Sequence, residues 1–206
     1  MPFDPQRHHR RSIRLKDYDY SQPGAYFVTI CAHDRELLFG NIYHDIMHLN
    51  RMGLAVRKTW LDLPYHYPHV VLNAFVIMPN HVHGIIVLTE DGGGGSVPRE
   101  ASALERIEAG QVPAANPPET RPYNLAKPVA PRHALPEIVR AFKTFSAQRV
   151  NALRRTSGIP VWQRNYYEHI VRNHDEWELI RAYIENNPLE WDHDVENPSF
   201  PGGTRS

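Results

Sequence analysis

The stretch Phe75–Leu88 reads Phe-Val-Ile-Met-Pro-Asn-His-Val-His-Gly-Ile-Ile-Val-Leu. Two apolar runs flank a Met-Pro-Asn turn signal, the pattern of two strands that double back on each other. In a strand, residues two apart share a face, so His81 and His83 project together while Val82 turns the other way. Two imidazoles are thereby aimed at one point.

The flanking sequence supplies partners for such a hairpin. Ala25–His33 is rich in β-branched and aromatic residues and is expected to be a strand. From His44 to Leu63, Ile46, Leu49, Leu54, Val56, Trp60 and Leu63 recur at roughly helical spacing, and Pro64 closes the segment. Tyr65–His69 contains two histidines, but Pro68 and the alternating tyrosines read as a turn and not as a ligand cluster. Val70–Met78 and His81–Thr89 are the two strands around Met-Pro-Asn. Leu135–Arg155 resumes helical spacing at Ile138, Phe142, Phe145, Val150 and Leu153, and Gly158-Ile159-Pro160 ends it. Val161–Val171 is aromatic and alternates imperfectly, as in a strand. His174–Trp191 is a helix whose Asp175-Glu176 start suits the positive end of the helix dipole, and the tail from Asp192 is expected to fray.

The order strand, helix, strand, strand, helix, strand, helix predicts an α+β fold. It is the ferredoxin-like split β-α-β arrangement, an antiparallel sheet with helices on one face and an extra C-terminal helix. In domain terms, residues 1–24 form a basic arm and 25–191 one domain interrupted at about 90–134; residues 192–206 are a tail. The interruption begins with Gly92–Gly95 and continues rich in Pro, Ala and Glu through Pro131, a composition that cannot supply a packed core. Its glycines are not a phosphate loop, because no Gly-Lys-Ser/Thr follows them.

The 206 residues hold 23 Lys plus Arg and 23 Asp plus Glu, so bulk charge selects no partner. The charges are unevenly placed. Arg7, Arg10, Arg11, Arg14 and Lys16 precede the first strand, Lys143, Arg149, Arg154, Arg155 and Arg164 occupy the middle, and acidic residues crowd the C-terminal end. Cys31 is the one cysteine, which excludes an internal disulfide and a multi-cysteine zinc site and suits a reducing cytoplasm. No apolar run approaches the roughly 18–20 residues of a membrane-spanning helix, so a soluble, cytoplasmic protein is expected.

On the last helix, Tyr183 and Asn187 lie four residues apart and share a face. A divalent ion held by His81, His83 and the Asn187 side-chain oxygen would keep positions open for phosphate oxygens. Imidazole with oxygen ligands suits Mg²⁺ or Mn²⁺, and Zn²⁺ is also compatible. Tyr183 is then placed as a nucleophile whose phenol, ordinarily near pKa 10, must shed its proton. His169 is a rival metal ligand or proton shuttle, and Tyr166 and Tyr167 are rival nucleophiles.

Four blocks of this sequence together resemble the HUH single-tyrosine transposases, in particular the REP-associated tyrosine transposases. They are Phe-Val-Ile-Met-Pro-Asn-His-Val-His-Gly at 75–84, Phe-Lys-Thr-Phe at 142–145, Trp-Gln-Arg-Asn-Tyr-Tyr-Glu-His-Ile-Val-Arg-Asn at 162–173, and Tyr-Ile-Glu-Asn-Asn-Pro at 183–188. The resemblance extends over about residues 25–190. It implies that His81, His83 and Asn187 bind a divalent metal and that Tyr183 cleaves and rejoins single-stranded DNA at hairpin repeats through a 5′-phosphotyrosine. It also implies a nucleoid-associated protein acting as a monomer or a homodimer. Lys143, Arg149, Arg164 and Arg172, with Arg14, are the expected DNA contacts, and Trp162 or Tyr166 could stack on bases. The chain departs from the family in its long interruption, its neutral charge and an Asn where Gln or Glu is common. A hairpin-binding protein that cleaves nothing and a small metallohydrolase are the alternatives.

Overall fold

The computed structural model describes residues 18–90 and 132–200. Most of the expected N-terminal arm, Arg14 with it, and nearly all of the 90–134 interruption lie outside the described residues.

Four strands form the main sheet: β1 (Gly24–Cys31), β4 (Val70–Ile77), β5 (His81–Leu88) and β6 (Tyr167–Val171). They are ordered β4-β5-β1-β6 with every neighbouring pair antiparallel. A first crossover joins β1 to β4 and carries helix α1 (Arg51–Leu61) and the short α2 (Leu63–His66). A second joins β5 to β6 and carries α3 (Leu135–Leu153). This is the expected split β-α-β fold.

Strand alternation divides the core into two layers. Tyr26, Val28 and Ile30 of β1 and Val82, Ile86 and Leu88 of β5 face α1 and α3, where they pack with Trp60 and Phe142. Trp60 meets Phe142 edge to face at 5.2 Å, and Phe142 meets Trp162 at 5.6 Å. Each buried side chain of this size contributes roughly 1.5–3 kcal/mol, so these rings fasten α1, α3 and the 160s loop to one face. Gly84 lets them approach, since a Cβ there would lie 2.4 Å from Trp60 Cζ2. Ala25, Phe27, Ile85 and Val87 point the opposite way. The extra C-terminal helix, α4 (His174–Asn186), covers them with Trp177, Ile180 and Ile184. The helices of the split unit therefore share one face as expected, and the extra helix has the other to itself.

Three boundaries differ from the sequence expectation. Residues 44–50 are not helical: β2 (Gly40–Tyr43) and β3 (Ile46–Leu49) form a separate hairpin, with positive φ at His44 and Asp45 in its turn. Local chemistry overrides the periodicity there. The Asn50 side chain accepts from the backbone N–H groups of Met52 and Gly53 and so starts α1 at Arg51, about two turns later than His44. Val161–Asn165 do not join β6; Trp162 makes an isolated bridge to Ala32, and Lys143 Nζ donates to the carbonyls of Gln163 and Arg164 at 2.6 and 2.9 Å. The last helix stops at Asn186 and not at Trp191, because Pro188 restricts the residue before it.

The expected fraying from Asp192 is corrected for the described part of the tail. Asp194, Glu196 and Asn197 are buried, and Glu196 is held by Arg35 Nε at 2.7 Å and by Asn80 Nδ2, which donates to its backbone carbonyl at 2.6 Å. Among the described residues, no helix is long and apolar enough to cross a membrane.

Candidate functional site

The face of the sheet under α4 carries the polar cluster. Antiparallel register sets Thr29 opposite His83 and Cys31 opposite His81, and alternation turns all four toward α4. Both histidines are fully buried, with rings 4.4 Å apart.

Each imidazole is oriented by a second residue. His81 Nδ1 lies 2.8 Å from Asn80 Oδ1. The Asn80 Nδ2 donates to the carbonyls of Arg35 and Glu196, so its oxygen faces His81 and Nδ1 must be the donor. The lone pair of His81 is thereby on Nε2, a buried atom without a well-formed hydrogen bond. His83 Nδ1 is 2.8 Å from Thr29 Oγ1, and its Nε2 is 3.2 Å from the Tyr183 hydroxyl. Phe27 stacks on His83 at 5.5 Å and meets the Tyr183 ring edge-on at 6.1 Å.

Burial lowers the His81 pKa to about 4, a shift partly opposed by Glu196 and by Asn187. The imidazole is therefore neutral at pH 7, the form that can ligate a metal. Burial also pushes the Tyr183 phenol well above its ordinary range, reinforced by the charges of Asp194 and Glu196 and opposed by the Asn187 carboxamide. Asn187 thus adjoins both His81 and Tyr183 from the cap of α4. Cys31 is likewise raised by burial and by Glu196, so it is an inert thiol in this setting.

His81, His83 and Asp194 each offer a ligand atom, all within 4.8 Å of one another. Two buried imidazoles, an adjoining carboxamide and a carboxylate form a donor set that fits a divalent cation. His81 Nε2 and Asn187 Oδ1 are buried polar atoms that such an ion would satisfy.

The sequence candidates divide into groups. His81, His83, Tyr183 and Asn187 come together. His169 sits on β6 opposite Phe27 and is bound by Glu176 Oε1 at 2.8 Å, which ties β6 to the first turn of α4. Tyr167 faces α4 beside Thr29, Tyr166 packs toward the other layer, and it is Tyr183 whose hydroxyl meets His83. Lys143 is spent on the loop carbonyls described above, and Arg149 Nη1 donates to Thr59 Oγ1 and Asp62 Oδ2 at 2.8 and 2.9 Å. Both cations therefore serve the fold, whereas Arg164 and Arg172 are exposed. Trp162 is a core residue that donates to Ser146 Oγ. Arg14 lies outside the described residues.

Sequence reasoning missed Thr29, Asn80 and Asp194. Thr29 alternates in phase with Phe27 and Asn80 precedes His81, so both carried a local signal. Asp194 carried none, standing in an acidic segment that resembles a solvated tail.

Fold and site together define a ferredoxin-like domain bearing a two-histidine, one-tyrosine centre. No family model matches the chain. The chain belongs to the same family as a protein of Haemophilus influenzae (strain ATCC 51907 / DSM 11121 / KW20 / Rd) that is named only as uncharacterized; the two are 40% identical over 188 residues, spanning 91% of this chain and 92% of that one. Among solved structures, a REP-associated tyrosine transposase bound to a REP hairpin is similar at 17% identity with a TM-score of 0.49, covering 86% of this chain and 73% of that one. A protein of Deinococcus radiodurans R1, provisionally named a transposase, is similar at 16% identity with a TM-score of 0.40, covering 86% and 97%.

Proposed function

We propose that this chain is a metal-dependent single-stranded DNA transposase that nicks and rejoins strands at hairpin repeats, with Tyr183 as nucleophile. The observation that carries this reading is the 3.2 Å approach of the Tyr183 hydroxyl to His83 Nε2, in a buried site that also holds His81 and Asn187. The four sequence blocks that resemble the HUH single-tyrosine transposases contain these same residues.

His81, His83 and Asn187 would hold a Mg²⁺ or Mn²⁺ ion. When bound, it would polarise the scissile phosphate and neutralise developing charge. The chain's own residues do the rest. Asn80 and Thr29 fix the two imidazoles, so the lone pairs point into the site. The Tyr183 hydroxyl lies 3.2 Å from His83 Nε2 in the metal-free arrangement, and a metal bound at that nitrogen would displace this contact. Phe27 and the face of α4 hold the phenol in position. The Tyr183 phenol gives up its proton to solvent and its oxygen attacks phosphorus, the bond to the 3′ oxygen breaks, and that oxygen takes a proton from solvent to leave as a 3′ hydroxyl while the 5′ phosphate stays on the tyrosine. Attack by another strand's 3′ hydroxyl reverses the exchange without a nucleotide cofactor. Arg164 and Arg172, exposed beside β6, are the phosphate contacts we favour, with Arg14 beyond the described residues; the protein acts at the nucleoid, alone or as a homodimer.

The test is covalent capture. A labelled single-stranded hairpin from the repeats flanking the gene, incubated with the protein and Mn²⁺, is expected to give an adduct stable on a denaturing gel. Tyr183→Phe should abolish it while leaving hairpin binding within about threefold. An adduct that persists in Tyr183→Phe refutes the assignment; binding with no adduct in the unaltered protein identifies a silent hairpin binder.

A further inference from the structure

The C-terminal segment is built into the site to a degree that a tail has no need of. Trp191 packs beside the His81 ring at 6.1 Å. Asp194 Oδ1 accepts from the backbone N–H of Glu196 at 2.7 Å, which aims the other carboxylate oxygen, Oδ2, at His81 Nε2, 3.7 Å away. That separation is too long for a hydrogen bond and is of the size expected for two ligands of one ion, each roughly 2.1 Å from it. Asn80 joins the two halves: one end of its carboxamide accepts from His81 Nδ1, and the other donates to the Glu196 carbonyl.

Charge leads to the same place. Two carboxylates, Asp194 and Glu196, are buried here, and the Arg35 guanidinium lies 2.7 Å from Glu196. Arg35 and its neighbour Asp34 both take positive φ, 55° and 51°, a conformation disfavoured for residues with a Cβ; the turn holds the guanidinium at the buried acid. The Asp194 carboxylate faces His81 Nε2, the ring nitrogen that carries the lone pair. A carboxylate oxygen and an imidazole lone pair placed this way, with His83 beside them, suit a single divalent ion.

We propose that Asp194 is a metal ligand, so that docking of residues 191–200 and binding of the divalent ion at His81 and His83 are one linked event. This rests on the metal site proposed above and extends it by a carboxylate from a different part of the chain. Linkage is reciprocal: an ion that binds better when the segment is docked must hold the segment in place by the same factor.

The experiment uses the full chain and Mn²⁺ alone, with no DNA. Calorimetric titration is expected to show Mn²⁺ binding at least tenfold weaker in Asp194→Asn. Glu196→Gln, which keeps every proposed ligand and loosens the segment from Arg35, should weaken it about threefold. Amide hydrogen exchange over residues 191–200 should slow at least fivefold when Mn²⁺ binds the unaltered protein, a measurement that stands even if Asp194→Asn fails to fold. Binding in folded Asp194→Asn within twofold of the unaltered protein, or unchanged exchange in the presence of bound Mn²⁺, overturns the proposal. Failure of the unaltered protein to bind Mn²⁺ overturns both this proposal and the metal site beneath it. Asp194-dependent binding in a protein that never forms the tyrosine adduct sinks the transposase reading and leaves this one standing.

Discussion

Thr29 shows how much of the site depends on side chains that never touch a substrate. Its hydroxyl lies 2.8 Å from His83 Nδ1 and holds the ring so that Nε2 points into the site. Thr29→Val keeps shape and burial but removes the partner, so His83 should lose its fixed orientation. Loss of such outer contacts typically costs 10–100-fold in metal affinity or activity. We expect Mn²⁺ binding and adduct formation to fall by about tenfold together, with unfolding free energy changed by about 1 kcal/mol. Equal Mn²⁺ affinity in the variant would show that His83 is oriented by packing on Phe27 alone. The pairing of His81 with His83 was legible because a strand has period two, and that of Tyr183 with Asn187 because a helix has a period near four. Asp194 was not legible. Its side chain reaches the histidines through Arg35 and Asn80, contacts 161 and 116 residues apart in sequence at Glu196, and no local pattern encodes such distances.

At the scale of elements, the four strands of the main sheet and their order along the chain could be read because β-branched runs and turn residues agree with the final fold, whereas the β2–β3 hairpin lay under an apparent helical spacing. The ends could not, since caps and loop contacts decide them: Asn50 starts α1, and Lys143 satisfies the carbonyls that would otherwise have extended β6. The start of α4 is decided the same way. Asn173 Oδ1 accepts from the Glu176 backbone N–H at 2.8 Å, and Glu176 in turn accepts from the Arg172 backbone N–H at 2.7 Å and grips His169. This reciprocal arrangement is close to a capping box, and it fixes the helix that carries Tyr183. Asn173→Ala should lower stability by about 1 kcal/mol and quicken amide exchange in the first turn of α4. The tyrosine lies more than two turns further on and is clamped by Phe27, so adduct formation should fall no more than about threefold. A tenfold loss would mean that the whole helix moves as a unit and that the cap, not the Phe27 contact, positions the nucleophile.

For the molecule as a whole, the buried neutral His81 makes stability depend on pH in a stated direction. Its pKa falls from the ordinary 6.5 to about 4 on folding. Between those values the unfolded chain binds a proton that the folded chain refuses, so acid favours unfolding. The contribution is present in full above pH 6.5 and is lost as pH falls toward 4. The shift corresponds to about 3 kcal/mol. The variant His81→Gln removes this one group for comparison. With chelator present, urea unfolding of the unaltered protein should lose about 3 kcal/mol more than the variant between pH 7 and pH 4. Mn²⁺ at a hundredfold excess over its dissociation constant should add about 2.7 kcal/mol at pH 7. That increment should shrink on acidification, since protons and metal compete for the same imidazole lone pairs. A difference between the two proteins that stays flat across the window would mean that His81 is solvated or already charged in the folded state, and the oriented lone pair on which the metal site depends would be lost with it.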